Sequence, residues 1–260
     1  MKANYHTHTF RCNHAYGTER EYIENAIKEG LQVLGFSDHV PMPYKDGWYS
    51  PIRMKPELLT DYVETLLKLK KEYESQIKIL VGFEAEYYSD VFEDMLNMLK
   101  PYDYDYLILG QHYLGNGPKY QYIGKENYDK NILKQYVDQC IEGMATGVFT
   151  YFAHPDIINY AYDDGIYDGN MERLCRAALK YSMPLEINLL GMEDNKCYPR
   201  ERFFKIASRV GNDVIIGCDA HEARHIIDRM LFSKAESMAE RLNLKVVDFA
   251  EIKSPKRNLS

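Results

Sequence analysis

The chain has 260 residues, of which 45% are hydrophobic, and its formal net charge is −7. This length and composition predict one large domain with a sizeable core, and no segment approaches the ~18–20 apolar residues of a membrane helix. The acidic balance disfavours broad binding to a membrane surface, and nucleic acid is not an expected partner.

The compartment can be predicted from the first residues and from the cysteines. The start, Met-Lys-Ala-Asn-Tyr-His, contains no apolar stretch of the kind found in a signal peptide. The five cysteines are odd in number, scattered, and form no Cys-x-x-Cys pair. They therefore predict free thiols rather than a disulfide framework or a thiolate zinc site. Both observations predict a cytoplasmic protein.

Apolar strand-like runs alternate with amphipathic helical patterns along the whole chain. Strands are predicted at Ala3–His8, Val33–His39, Ile77–Glu84, Tyr106–His112, Val148–His154, Leu185–Asn188 and Val214–Asp219. Helices are predicted near Glu19–Glu29, Pro56–Tyr73, Val91–Leu99, Tyr128–Thr146, Met171–Tyr181 and Arg200–Val210. Strands that alternate with helices pair in parallel, either in an open doubly wound sheet or in a closed barrel.

Potential metal ligands stand at the end of nearly every predicted strand. His6 and His8 share one face of the first strand, roughly 7 Å apart, where two neutral imidazoles can bind one metal ion. Asp219 and His221 repeat this spacing after the seventh strand. The remaining ligands of this kind are His14, His39, Glu84, His112 and His154. Because the carboxyl ends of barrel strands meet at one mouth, this distribution favours a closed α/β barrel with a metal centre there.

The segments that follow the strands also indicate that the functional site lies at the carboxyl ends of the strands. They are long and rich in Gly, Pro and Tyr, and long loops in a compact domain are usually functional. Tyr44, Trp48 and Tyr49, in the loop after the second strand, could wall a substrate pocket. The barrel is expected to span residues 1–252, and residues 253–260 are expected to form a flexible tail.

Several of these residues also have a purely structural interpretation. A lone histidine such as His112 can be a buried, hydrogen-bonded imidazole, whereas the carboxylate of Glu84 at the end of an apolar strand is costly unless it is paired or bound to a metal. Cys12, between two histidines, could approach a metal. His225 is expected at the surface or behind the ligands, and Asp38 and Asp156 are turn residues or outer partners of a ligand.

Taken in order, these residues resemble the PHP (polymerase and histidinol phosphatase) superfamily and, within it, the histidinol-phosphatase-like branch. The resemblance rests on His6-Thr-His8, Ser37-Asp-His39, Gly82-Phe-Glu84, Gly110-Gln-His112, Ala153-His-Pro-Asp156, Glu186-Ile-Asn188 and Gly217-Cys-Asp-Ala-His221. These motifs span almost the whole chain, and together they are specific. The resemblance implies a distorted (β/α)7 barrel with a trinuclear metal centre.

The resemblance also implies a set of ligands for three divalent ions. One ion would be bound by His6, His8, Glu84 and Asp219, a second by Glu84, His112 and His154, and a third by His14, His39 and His221. Mixed nitrogen and oxygen ligands suit zinc, the first expectation, or manganese or iron, rather than calcium or magnesium.

The activity that the resemblance implies is hydrolysis of L-histidinol phosphate to L-histidinol and phosphate in histidine biosynthesis. The expected catalytic residues are Glu84, Asp219 and His221, close to the attacking hydroxide. Phosphate binding is expected from a loop arginine, with Arg11, Arg53 and Arg200 as candidates. The expected partner is a small-molecule phosphate ester, and a homo-oligomer remains open.

Three other functions fit the same residues. A metal-dependent amidohydrolase also begins with His-x-His and ends with Asp on a barrel. The same barrel could act on a phosphotyrosine protein or on a nucleotide. A metal-binding or regulatory module without enzymatic activity is the third alternative.

Overall fold

Eight parallel strands form the centre of the computed structural model, which describes residues 1–44, 47–162 and 165–255. The strands follow one another around the sheet in chain order, and each is parallel to its neighbours. They are β1 (Ala3–Asn4), β2 (Val33–His39), β3 (Lys78–Ala85), β4 (Tyr106–Leu109), β5 (Phe149–Phe152), β6 (Leu185–Asn188), β7 (Asp213–Gly217) and β8 (Lys245–Val246). The predicted parallel α/β architecture is confirmed.

Helices connect the strands and cover the sheet. They are α1 (Glu19–Lys28), α2 (Leu59–Glu72), α3 (Phe92–Leu99), α4 (Lys130–Ala145), α5 (Gly165–Lys180), α6 (Leu189–Glu193), α7 (Glu201–Val210) and α8 (Arg229–Arg241). Local sequence explains where several of them begin. The side chains of Thr18, Asp129 and Asp228 accept hydrogen bonds from backbone N–H groups in the first turns of α1, α4 and α8, which would otherwise lack partners.

The first and seventh strands close the barrel at its carboxyl end. Beyond β1, Thr7 forms a parallel bridge with Ala220. His8 N donates to Ala220 O (2.9 Å), and Ala220 N donates to His6 O (3.1 Å). At the opposite end β8 pairs with β7. The predicted seven-stranded barrel is therefore present, with β8 as one additional short strand. The sequence analysis did not predict β8 because its two exposed residues are too few to show a strand pattern.

A tyrosine fills the interior of the barrel below the site. The hydroxyl of Tyr106 donates to the carbonyls of Tyr5 (2.7 Å) and Phe36 (3.1 Å). A Cβ atom at Gly82 would lie 2.4 Å from the Tyr106 ring, and one at Gly35 would lie 2.3 Å from its hydroxyl. Glycine at both positions therefore lets a large polar-tipped ring cross the barrel and tie its first strands together.

The segment after β8 returns to the amino-terminal end of the barrel. Within the predicted tail, Lys253 N donates to Thr150 Oγ1 (3.2 Å) and Lys253 Nζ donates to Tyr181 O (2.9 Å). Residues 256–260 of that predicted tail lie outside the described residues. In the described ranges, none of the helices combines the length and the apolar character needed to cross a membrane.

Candidate metal centre

The carboxyl ends of the strands bring all nine predicted ligands into one cluster. Its side chains are buried or half-buried, and each has a nitrogen or oxygen atom close to a nitrogen or oxygen atom of another side chain in the cluster. The cluster consists of His6, His8, His14, His39, Glu84, His112, His154, Asp219 and His221. It forms because most of these residues lie at or just beyond the carboxyl ends of the strands, and parallel strands end on the same side.

Glu84 lies at the middle of this cluster. Its Oε1 is 2.7 Å from His154 Nε2, and its Oε2 is 2.9 Å from His39 Nδ1. Three further imidazole nitrogens lie 3.6 Å from its carboxylate, on His6, His8 and His112. A Cβ atom at Gly110 would lie 1.9 Å from Glu84 Oε1. The glycine after β4 therefore leaves the space that this carboxylate occupies.

Asp219 and the imidazoles around it form the other half of the cluster. Asp219 Oδ1 lies 3.1 Å from His8 Nε2 and 3.3 Å from His6 Nε2. His221 Nε2 lies 3.0 Å from His14 Nε2. Ligand atoms of His14, His39 and His221 are all within 4.8 Å of one another. Cys12 Sγ and ligand atoms of His8 and His221 also lie within 4.8 Å of one another. The position of Cys12 between two histidines suggested this proximity.

Several of these ligand atoms are buried without a hydrogen bond among the described residues. They include His6 Nε2, His8 Nε2 and Glu84 Oε2. Burying polar atoms without partners costs free energy, so their clustering indicates that a bound group interacts with them. Imidazole nitrogens and carboxylate oxygens are the ligands that zinc, manganese and iron accept. The residues of the cluster therefore fit bound metal ions.

The charges in the cluster also favour a cation. Burial disfavours the charged form of His6, yet the carboxylates of Asp219, Glu186 and Glu84 raise its pKa to about 10. Burial likewise disfavours the ionised form of Glu84, yet the neighbouring imidazoles, His112 first, lower its pKa well below the usual range. The carboxylates thus stay ionised, and a proton or a metal ion is stabilised between them.

Glu186 holds two of the ligand-bearing segments from behind. His6 Nδ1 donates to Glu186 Oε1 (2.9 Å), which directs His6 Nε2 into the cluster. Glu186 Oε2 accepts from the backbone N of His154 (3.0 Å) and from Asn188 Nδ2 (2.9 Å). A Cβ atom at Gly217 would lie 1.9 Å from Oε1. Carboxylates that orient a metal-binding imidazole are typical of metal sites. The sequence analysis included Glu186 in a motif but gave it no role.

Replacing Glu186 by glutamine is expected to weaken metal affinity and kcat/KM about 10- to 100-fold. The amide is uncharged and offers one acceptor oxygen, whereas the carboxylate accepts from four donors, among them the hydroxyl of Tyr151 (3.3 Å). Metal titration and steady-state kinetics measure the effect. Glu142→Gln, at an exposed position of α4, serves as the matched control. Equal affinities in the two variants would show that Glu186 does not support the centre.

Glu86 supports His112 in the same way. His112 Nδ1 donates to Glu86 Oε1 (3.2 Å), and Arg53 Nη2 donates to the same oxygen. Arg53 is 2% exposed. This candidate for phosphate binding therefore lies directly behind a ligand of the cluster. Glu86 was missed, although it lies just beyond β3 and follows Glu84 at i+2, a spacing that places two side chains on the same side of an extended chain and could have revealed it.

The other two candidate arginines are engaged by protein groups. Arg11 is buried and pairs with Glu19 and Asp61, the latter through Nη2 at 2.6 Å. Arg200 Nη1 donates to the carbonyl of Tyr160 (3.1 Å), within the loop that follows β5. Arg11 thus ties the loop after β1 to α1 and α2, and Arg200 ties two loops of the mouth together.

Three further residues, outside the predicted ligand set, lie behind the clustered side chains or in their loops. Asp38 Oδ1 is 3.5 Å from His8 Nδ1. Asp156 Oδ2 accepts from the backbone N of Arg200. His225 is buried, and its Nδ1 accepts from the backbone N of His221 (3.2 Å). Each therefore supports a ligand or its loop rather than extending the cluster.

Comparison with known proteins identifies the family. The family model of the PHP domain matches residues 4–190. The probable histidinol-phosphatase of Deinococcus radiodurans is 29% identical over 228 residues, covering 84% of this chain and 85% of that protein. The histidinol-phosphatase of Bacillus subtilis is 32% identical over 148 residues, 54% of this chain and 53% of that protein.

A solved structure shares the fold. The histidinol phosphate phosphatase of Lactococcus lactis, solved with zinc, L-histidinol and phosphate, superposes with a TM-score of 0.73 at 19% identity and covers 95% of both chains. The strand-end cluster lies within the barrel that the two proteins share. With a family model that covers most of the barrel, the chain belongs to the PHP domain family.

Proposed function

We propose that this protein is a metal-dependent phosphatase that hydrolyses L-histidinol phosphate to L-histidinol and phosphate. The observation that carries the proposal is the cluster of nine ligands with buried, unpartnered atoms at the mouth of the barrel. The names of the relatives in Deinococcus radiodurans and Bacillus subtilis support the reaction. The bound L-histidinol and phosphate of the Lactococcus lactis enzyme support the substrate.

The ligand groups support a centre of three divalent ions, with zinc as the first expectation. One group joins His6, His8 and Asp219, and a second joins Glu84 to His154 and His6. The third joins His14, His39 and His221. Glu84 lies near both of the first two groups, as a bridging carboxylate requires. His112 completes the second set on the same carboxylate.

Hydrolysis of a phosphate monoester is slow without catalysis, so the site must lower the barrier by on the order of 20 kcal/mol. Divalent ions contribute by lowering the pKa of bound water and by neutralising charge on the phosphate. The protein keeps Glu84 and Asp219 ionised through the surrounding imidazoles. These two residues and His221 are the catalytic residues of this proposal.

Among the three candidate arginines, Arg53 is the one that we propose for substrate binding. Its Nη1 is buried and has no hydrogen-bond partner among the described residues. Its Nη2 donates to Glu86, and Glu86 also accepts from Nδ1 of His112. An anionic group of the substrate would supply the missing acceptor. The proposed partner is thus a small phosphate ester. We also propose the cytoplasm as the compartment of the protein, which the five free cysteines support.

The test is kcat/KM for L-histidinol phosphate, p-nitrophenyl phosphate and a phosphotyrosine peptide, each with zinc- or manganese-loaded protein. We expect about 10⁴ M⁻¹s⁻¹ or more for L-histidinol phosphate, and at least about a hundredfold less for the generic ester. Weak activity on all three would keep the phosphatase and reject the substrate. No activity with metals bound would favour the amidohydrolase or the non-enzymatic alternative.

A further inference from the structure

An aromatic pocket of about 320 Å³ lies between the loops at the mouth of the barrel, within the size range of pockets that bind small molecules. Its walls come from the loop after β2 and from the segments after β3 and β4, and they include Tyr44, Trp48, Arg53, Tyr88, Tyr113 and Tyr120. The rings of Tyr44 and Trp48 meet edge to face, with centroids 4.5 Å apart. Two of the three aromatic residues predicted to wall a substrate pocket therefore line one, and the third, Tyr49, packs against Tyr44.

Contacts within and between the loops hold these walls in place. A Cβ atom at Gly115 would lie 2.1 Å from the Tyr120 ring, so a larger residue there would displace the ring. Asn116 Nδ2 donates to the carbonyl of Pro43 (2.9 Å) and joins the loop after β4 to the loop after β2. The aromatic pocket is therefore formed before a ligand arrives, which reduces the entropy lost when a ligand binds.

Two residues of the aromatic pocket connect it to the metal centre. Tyr113 directly follows the candidate ligand His112. Arg53 Nη2 donates to Glu86 Oε1, which also accepts from His112 Nδ1 (3.2 Å). Arg53 Nη1 is buried and has no hydrogen-bond partner among the described residues. The pocket thus adjoins the metal centre and offers a buried donor to a ligand that carries an acceptor.

We propose that the aromatic pocket binds the alcohol half of the phosphate ester and selects alcohols that carry a flat ring, such as the imidazole of L-histidinol. This inference rests on the proposed phosphatase function, in which Arg53 binds the phosphate at the edge of the pocket. Tyrosine and tryptophan rings pack well against another flat ring, and they lose little conformational entropy in doing so. Trp48 and Tyr120 therefore determine specificity and take no part in the hydrolysis itself.

The chain contains a single tryptophan, Trp48, so tryptophan emission reports on the aromatic pocket directly. Titration of metal-loaded protein with L-histidinol should change this emission in a saturable way. Ethanolamine, an amino alcohol without a ring, should leave it unchanged. Tyr120→Leu should weaken the binding of L-histidinol about tenfold, and Tyr128→Leu, at an exposed position, should not weaken it. An emission that does not respond to L-histidinol would overturn the inference.

Kinetics with two esters test the selectivity. In metal-loaded Trp48→Leu protein, KM for L-histidinol phosphate should rise about tenfold with kcat nearly unchanged. For 2-aminoethyl phosphate, which lacks a ring, kcat/KM should change less than about twofold. Metal content should equal that of the unmodified protein. Equal losses on both esters would show that Trp48 only supports its loop, and an unchanged KM for L-histidinol phosphate would show that the ring binds elsewhere. Either result would overturn the inference.

The emission titration separates this inference from the function on which it rests. If the unmodified protein with bound metal hydrolyses neither ester, the proposed function fails. Saturable binding of L-histidinol that Tyr120→Leu weakens would still support the pocket as a site for a ring-bearing alcohol, and its absence would reject the pocket as well.

Discussion

Replacing Glu84 by alanine is expected to lower kcat more than about a thousandfold, or about 4 kcal/mol of barrier, and to release metal. Its carboxylate contacts the imidazoles of five histidines and is the bridge between two of the proposed metal sites. Without it the two ions lose a shared anionic ligand. Kinetics with L-histidinol phosphate and metal analysis of the purified protein measure both effects.

Two further variants show whether the effect comes from charge. Glu84→Gln keeps the volume of the side chain but removes its charge, so it should lose metal nearly as fully as Glu84→Ala. Glu64→Ala, at an exposed position of α2, should leave both quantities unchanged. Thermal unfolding of each variant shows that the barrel has formed. Near-normal turnover by a folded Glu84→Ala protein would contradict the metal centre described above.

Removing the metal is expected to abolish activity and to change how stability depends on pH. In the metal-free cluster, Asp219, Glu186 and Glu84 outweigh burial and raise the pKa of His6 to about 10, whereas it is about 6.5 in the unfolded chain. This protonation stabilises the fold fully below pH 6.5, and the stabilisation is lost as the pH rises towards 10. His8, whose pKa is also raised, acts in the same direction.

Other histidines in the cluster have pKa values shifted in the opposite direction, and their protonation affects the stability of the fold only at lower pH. Burial lowers the pKa of His39 and His221 well below the usual value. These two residues are neutral in both states above pH 6.5, so they contribute nothing there and destabilise the fold only as the pH falls. The Tm of chelator-treated protein should therefore decline between about pH 6.5 and 9.

The zinc-loaded protein provides the comparison. Its Tm should stay level or rise over the same range, because deprotonated ligands bind metal more tightly. Thermal unfolding of the two preparations, followed by circular dichroism in matched buffers, tests this. Added zinc should restore the activity of the chelated sample. Parallel Tm curves with and without zinc would mean that no metal occupies the cluster.

The clustering of the candidate ligands could be predicted from sequence because most of them follow the end of a strand. An apolar run fixes where a strand ends, and parallel pairing then brings the strand ends together. His6, Glu84 and His154 are placed by that rule alone. The rule predicts that they meet at one mouth, whereas the grouping around Glu84 was implied by the family resemblance.

The partners behind the ligands could not be predicted so directly. Glu186 contacts His6 across the barrel, and the pairing depends on the curvature of the sheet rather than on spacing along the chain. Arg11 was a candidate for phosphate binding, yet it pairs with Asp61 on another element. A loop arginine has many rotamers, so sequence does not determine its direction.

Three elements were missed, namely α6, β8 and α8. β8 contains two residues, Lys245 and Val246, which is too short for a period to be visible. α8 carries buried Leu231, Ala235 and Met238 at helical spacing. That pattern was present in the sequence, and the prediction did not use it.

The bridge between Thr7 and Ala220 determines when the centre can form during synthesis. His14 and His221, whose imidazoles lie side by side, are 207 residues apart in the chain. The first histidines leave the ribosome early, but Asp219 and His221 emerge only after most of the barrel. A nascent chain therefore carries an incomplete set of candidate ligands for most of its translation. The proposed metal centre can be complete only after β7 has docked against β1.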